Sequence, residues 1–250
     1  MTDHSQMRLG KLAPKKDKRT LKMANYITAL PPIPAAVDWS HKLAALGMMK
    51  NDVLGDCTCA AAGHAIQTWT GNVKKEVTIS DKKVVAAYSA ITGYTPKDPN
   101  TDEGAVELDV LNYWRNKGIG GHKIGSYMAV QSKDQDHVRA SIFLFGGTYC
   151  GVALPNSAQN QDVWDAAAGP DGEAGSWGGH AIWVLAYDKD FLTCVTWGEL
   201  KKMTWAFWSS YCDEAYALLS PDWFSKKLFS RGPSPSGFDM AALAADLKEL

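Results

Sequence analysis

Residues 57–66 read Cys-Thr-Cys-Ala-Ala-Ala-Gly-His-Ala-Ile. The small-residue run from Thr58 to Ile66 is predicted to be helical, since alanine is the strongest helix former. Gly55 precedes it, and Asp56 is a good N-cap residue, so Cys57 falls in the first turn. That placement has chemical consequences. A helix N-terminus carries unpaired N–H groups and the positive end of the dipole, and both stabilise a thiolate. A cysteine there is compatible with either a structural or a reactive role. Cys59 faces elsewhere and is read as core. His64 shares a face with Cys57 about two turns away and is read as structural.

The rest of the chain supplies a helical part followed by a strand-rich part. A second helix is expected over 80–92, opened by Ser80 and closed by Gly93. A turn-rich loop follows with Pro96, Pro99 and Gly104, then a third helix over 105–117, stopped by Gly118. Residues 138–145 read as helical. The runs 149–154, 180–187 and 191–196 are short, apolar and of strand type, with a short helix at 204–212 and a strand at 214–219. This order predicts an α+β fold of two lobes. At 250 residues, with 46% apolar and 21% charged content, the chain can bury sizeable cores.

The ends have a different texture. Arg8, Lys11, Lys15, Lys16, Lys18, Arg19 and Lys22 stand against Asp17 alone, and Leu30-Pro31-Pro32-Ile33-Pro34 follows. The stretch is expected to lie extended over the surface, either as a solvated arm or docked on an acidic partner surface. At the other end, Gly232 to Gly237 reads as a linker. Met240, Leu243, Leu247 and Leu250 then recur at helical spacing, and this amphipathic segment is expected to dock on the body or on a neighbouring chain. Three regions result: an arm over 1–32, a central domain over 33–220, and a linker with helix over 221–250.

Net charge is −1, which gives no sign of a nucleic-acid partner. No apolar run reaches the roughly 18 residues of a membrane span, and Met1 to Gln6 is polar, so neither a membrane association nor a secretory signal is expected. Five cysteines without paired spacing do not suggest a disulfide framework. A reducing setting is expected, cytoplasmic or within an assembled particle. No histidine–cysteine pair has zinc spacing, since Cys57-Thr58-Cys59 is too tight, and no metal or cofactor is expected.

Ile33-Pro34-Ala35-Ala36-Val37-Asp38-Trp39, then Lys50-Asn51, then Gly55-Asp56-Cys57, resembles the start of mature papain-family cysteine proteases. Thr70-Gly71-Asn72, Glu103-Gly104 and Gly118-Ile119 resemble that family's first lobe. Gly178-Gly179-His180-Ala181 resembles the strand bearing its histidine, and Trp197-Gly198 the Trp-Gly after its third catalytic residue. The resemblance spans about residues 33–219. It implies a papain-like two-lobed fold, with a helical lobe over about 57–128. The β-rich antiparallel lobe would come from 33–50 and 129–220, with a cleft between the two. It further implies peptide or amide hydrolysis with Cys57 as nucleophile, His180 as base and Asn51 helping to hold the oxyanion. Gly104 and Trp197 would line the substrate cleft.

Several positions depart from the family pattern. Leu54 stands where the family usually has a disulfide cysteine, and Asn51 where it has glutamine. Asp56 places a carboxylate beside Cys57 and is expected to raise its pKa. Val195 takes the place of the orienting asparagine, leaving Thr196 or a backbone carbonyl to orient His180, and Val195→Asn is expected to raise turnover unless one of these already fills the role. The alternative function is an inactive or weak papain-like pseudoenzyme, a binding or structural module in a larger assembly such as a phage particle. Related Cys–His chemistry, transglutamination or acyl transfer, stays open. A peptide or protein substrate is implied, and residues 1–32 and 238–250 are candidate surfaces for a protein partner or self-association.

Overall fold

Helix α1 (Cys57–Val73) runs through the centre of the protein in the computed structural model, which describes residues 3–27 and 32–224. Every side chain from Cys57 to Thr70 is buried. A helix buried all round needs small residues wherever something approaches closely, and the alanine run supplies them. At Gly63 an added Cβ would fall 2.4 Å from Met49 Sδ. Helices α2 (Asp81–Thr92) and α3 (Glu107–Asn116) pack beside α1. Ser80 and Gly93 flank α2 as expected, with Gly93 in the left-handed conformation at φ 82°.

The strands are β1 (Leu21–Lys22), β2 (Val37–Asp38), β3 (Ser126–Ala129), β4 (Thr148–Leu154), β5 (Val163–Trp164), β6 (Gly178–Tyr187), β7 (Phe191–Thr196), β8 (Glu199–Thr204) and β9 (Cys212–Leu219). They form one sheet in the order β1-β3-β9-β4-β6-β7-β8-β5, with β2 on β6. All pairings are antiparallel except the two short edge pairs, β1–β3 and β5–β8. Two further helices among the described residues are α4 (Gln135–Phe145) and α5 (Trp205–Tyr211).

The sheet divides two cores. Ala181, Trp183 and Leu185 of β6 pack on the α1–α3 side with Trp69 and Trp114. Ile182 and Val184 face the other way, toward Val138 and Phe145 of α4 and Trp208 of α5. A strand covered on both faces reads as a continuous apolar run, which is why 180–187 stood out in the sequence. The strand β8, with Lys201 and Lys202 beside Met203, follows the turn at Trp197-Gly198 and runs straight into α5; it lacks that signal and was not expected.

The arm does not lie over the surface as its composition suggested. His4 is 1% exposed and Lys11 6%. Residues 13–20 do lie outside, while residues 4–12 bury His4 and Lys11 and leave Gln6, Arg8 and Leu12 exposed. The expected C-terminal helix falls outside the described residues. All five cysteines are free and buried. Among the described residues no helix is long and apolar enough to cross a membrane.

Candidate active site

Cys57 is the first residue of α1, as its sequence setting implied. The loop before it is tightly held. Met49 and Lys50 both take positive φ, 56° and 69°, an uncommon conformation for residues with a Cβ. The Gly55 N–H donates to both oxygens of Asp102, at 3.1 and 3.0 Å. Burial pushes the Cys57 thiol up to about 12, against the pull of the Ala181 and Gly10 N–H groups that face the sulfur.

Asp56 takes the N-cap position and adds to the upward push on Cys57, second to burial. Its backbone carbonyl accepts from Cys59 and Ala60, but its carboxylate makes no capping bond, and both oxygens are buried without a hydrogen-bond partner. Burial, with repulsion from Asp102, raises it to about 8. The group is therefore mostly protonated at neutral pH and does not set a full negative charge against the thiolate. Desolvation, more than this neighbour, is what disfavours the Cys57 anion.

His180 is fully buried near the start of β6. Its Nε2 lies 2.6 Å from Thr196 Oγ1, and the Trp197 ring stacks on it with centroids 4.4 Å apart. Trp197 reaches that position with φ 46°, at the turn into Gly198. Nδ1 of His180 has no hydrogen-bond partner, so ring and thiol are not bonded to each other. Burial pulls the imidazole down to about 3, with His64 adding repulsion. Val195 points away, into the α1-side core. Side chains alternate along a strand, so an asparagine there would meet apolar packing rather than His180. Thr196 already makes the contact to His180, the case in which Val195→Asn is not expected to raise turnover.

Residues 4–12 fill the space above this pair. Lys11 N–H donates to Gly179 O at 3.0 Å, Leu12 N–H to Ala105 O at 3.0 Å, and Ala105 N–H to Gly10 O at 2.8 Å. Trp197 Nε1 donates to Arg8 O at 3.3 Å. The arm thus bonds to both walls, the 104–105 segment on the helical side and β6 with Trp197 on the other. Gly10 is required for the fit: a Cβ there would fall 1.9 Å from Gly55 O. Gly104 is equally tight, at φ 82° with its would-be Cβ 2.2 Å from Gly10 O. Both residues singled out as cleft-lining, Gly104 and Trp197, touch the arm.

No protein-family model matches the chain, and no curated protein matches it in sequence. Solved structures do. Xylellain, a cysteine protease from Xylella fastidiosa, superimposes with a TM-score of 0.63 at 18% identity, over 88% of this chain and 98% of that one. Digestive procathepsin L 3 from Tenebrio molitor larval midgut gives 0.60 at 10% identity, over 86% and 77%. The Carica candamarcensis cysteine protease CMS1MS2, solved in complex with E-64, gives 0.54 at 14%, over 75% and 99%. The fold is that of the papain-like cysteine proteases.

On this papain-like fold, Cys57 and His180 stand on adjoining elements, since the sulfur meets the N–H of the residue after His180. Asn51 is buried in the loop before Cys57, where one amide N–H donates to Leu54 O at 3.2 Å. His64 accepts the structural reading, with Nε2 2.9 Å from Gly47 O. Among the described residues no group of three or more His, Cys, Asp or Glu side chains could hold a metal ion. The residue that lets the arm approach Cys57 escaped the sequence analysis. The visible signal was Gly10, a glycine inside a basic stretch with no turn partner.

Proposed function

We propose that the chain is a thiol-dependent peptide or amide hydrolase whose own residues 4–12 close its cleft. The observation that carries this reading is the His180 ring. Its Nε2 is fixed on Thr196, one plane is stacked on Trp197, and Nδ1 is left unpartnered next to the element that faces Cys57. With Nε2–H donating to Thr196, Nδ1 carries the lone pair that takes the thiol proton. The thiolate then attacks the substrate carbonyl carbon. The oxyanion is held by the Cys57 N–H and by the second amide proton of Asn51. The imidazolium returns its proton to the leaving amine, and water, deprotonated by His180, releases the acyl group.

The arm explains why both groups are so far from reactive values. A thiol near 12 and an imidazole near 3 are the signatures of a dry site. The arm is not itself attacked, because it offers Cys57 an N–H. The Gly10 carbonyl is bonded to Ala105 instead.

Gly10→Val should evict the arm, since its Cβ has no room. In that variant, Cys57 alkylation by iodoacetamide between pH 5 and 8 should exceed that of a free thiol, and Cys57→Ala should abolish peptide hydrolysis without unfolding the chain. The missing thiol–imidazole bond favours the second reading, a papain-like binding module. A released chain whose Cys57 reacts no faster than a free thiol decides for it.

A further inference from the structure

Where the arm rejoins the sheet it covers a cavity. Residues 17–20 make a turn, with the Thr20 N–H donating to Asp17 O at 3.0 Å, and β1 follows as a parallel partner of β3. Arg19, Thr20 and Leu21 form one wall of the cavity. Asn112 and Arg115 of α3 and Tyr127 of β3 form the other, and the enclosed volume is about 230 Å³. Asn112 and Arg115 stand at i and i+3, so they share one face of the helix. Arg115 is partly buried, and among the described residues its side chain has neither a carboxylate nor a hydrogen-bond partner. Asn112 is oriented through its oxygen, which accepts from Tyr127 Oη at 2.8 Å, and its amide N–H groups are left without a partner among the described residues. A cation in the last turn of a helix complements the helix dipole. That accounts for a positive charge at position 115. It does not account for the space in front of that charge, or for an oriented amide lining the same space.

Charge decides what the cavity can hold. Arg19 also lines it, but Asp17 occupies that guanidinium: Nε donates to Oδ1 at 3.0 Å and Nη2 to Oδ2 at 2.6 Å. The two charges cancel, and Arg115 is left as the free cation of the cavity. It neutralises a monoanion. A phosphate dianion would keep a negative charge close to Asp17, which opposes binding. The forked N–H groups of Arg115 match the two oxygens of a carboxylate, and Asn112 offers a further donor. Leu21 and the Tyr127 ring give the remainder of a small acid an apolar wall. The volume lies under the roughly 300–1,000 Å³ of pockets for drug-sized molecules, so the ligand is small.

We infer that the cavity between residues 17–21, α3 and β3 binds a small monocarboxylic acid, with Arg115 and Asn112 holding the carboxylate. The site shares no residue with the Cys57–His180 pair and stands whether or not the chain hydrolyses peptides. A ligand there touches the arm and the body together, and so fastens the outer half of the arm to α3.

The test titrates sodium propionate into the full chain at about pH 8, where phosphate is mostly a dianion. Sodium chloride and sodium phosphate of equal ionic strength are run beside it, and the amide NMR signals of Thr20, Asn112 and Tyr127 are followed. Saturable shifts with a dissociation constant on the order of 1 mM are expected for propionate, the range open to so small a ligand. Phosphate should bind more weakly. Arg115→Ala should weaken propionate binding by at least about 10-fold. Asp17→Asn frees Arg19 and adds a second cation, so phosphate should then bind at least as tightly as propionate. Shifts that chloride reproduces, shifts that do not saturate, propionate binding unchanged by Arg115→Ala, or a parent chain that prefers phosphate overturns the inference. Should Arg115→Ala fail to fold, Arg115→Lys keeps the charge and loses the fork. It should still weaken propionate binding several-fold, and unchanged affinity in that variant overturns the inference as well.

Discussion

Lys11 and Lys15 belong to one basic segment, and each meets a carboxylate at nearly the same distance: 2.8 Å to Asp213 and 2.9 Å to Asp109. Their surroundings differ. The Lys11 side chain is 1% exposed, the Lys15 side chain 57%. Water screens the outer pair and competes for both partners, so its net contribution is small. In the inner pair water reaches only one partner: Asp213 is 29% exposed, but the buried Lys11 ammonium has the carboxylates of Asp213 and Glu214 in place of solvent. What separates the two halves of the arm is the wall each meets, not the charge each carries. Gly10 lets the chain thread between Gly55 and Gly104, and beyond Leu12 it emerges onto α3.

The comparison is broken most directly at Lys11. Lys11→Met keeps the stem and deletes the charge. Arm docking should weaken by about 1.5–3 kcal/mol, the worth of a hydrogen bond to a charged group, since Asp213 keeps water and burial already favours the neutral form of Glu214. Hydrogen exchange of residues 4–12 and the rate of Cys57 alkylation both read this, and a loss of about 1 kcal/mol or less would put Lys11 in the same class as Lys15.

This contrast also marks how far the sequence could be read. The helix at Cys57, the second helix with its Ser80 and Gly93 ends, and the apolar strand 180–187 were legible because each follows from local chemistry. The resemblance also pointed to the elements that carry Cys57 and His180, which adjoin, although ring and thiol make no hydrogen bond. The path of the arm was not. Seven basic residues against Asp17 state a charge, and charge alone does not say whether a lysine meets water or a buried glutamate. Asp56 raises the Cys57 pKa as its position implied, but the sequence does not say that burial of the thiol would be the larger cause. The role of Thr196 rather than position 195 depends on which face of β7 looks at His180, a register fixed by the sheet.

Asp56 extends the comparison to a buried acid. Its folded pKa, near 8, lies above the ordinary 3.8. The folded state therefore holds a proton that the unfolded state releases above 3.8, and this group costs stability as pH rises from there to about 8. Asp56→Asn removes the effect. The variant should gain on the parent by up to about 1.4 kcal/mol per pH unit across that window, reaching a few kcal/mol at its alkaline end. Urea melts at pH 5 and pH 8 measure it. Parallel curves for the two proteins would show that Asp56 ionises freely.

His180 sharpens the link between arm and site. Its folded pKa, near 3, lies below the ordinary 6.5, so it stabilises the fold fully above 6.5 and that contribution is lost as pH falls toward 3. With the arm docked, the ring's NMR signals should show no midpoint between pH 4 and 8. In Gly10→Val, water reaches the ring and the midpoint should move back up toward 6.5, by about one unit or more. An unmoved midpoint would mean that Trp197 and Thr196, and not the arm, keep the imidazole dry.

The smallest effect belongs to the outer pair. Lys15→Ala removes the bond to Asp109 but leaves both groups in water, so stability should change by under about 1 kcal/mol, and less at high salt. Hydrogen exchange over residues 4–12 should stay as in the parent, because Lys11 and the backbone bonds to Gly179 and Ala105 hold that half alone. This variant is the control for Lys11→Met, since both delete one positive charge from the same segment. If Lys15→Ala loosened the inner half as much, the arm would be held by its summed charge against the acidic wall. Salt would then release it, and the division at Leu12 between a threaded half and a surface half would lose its meaning.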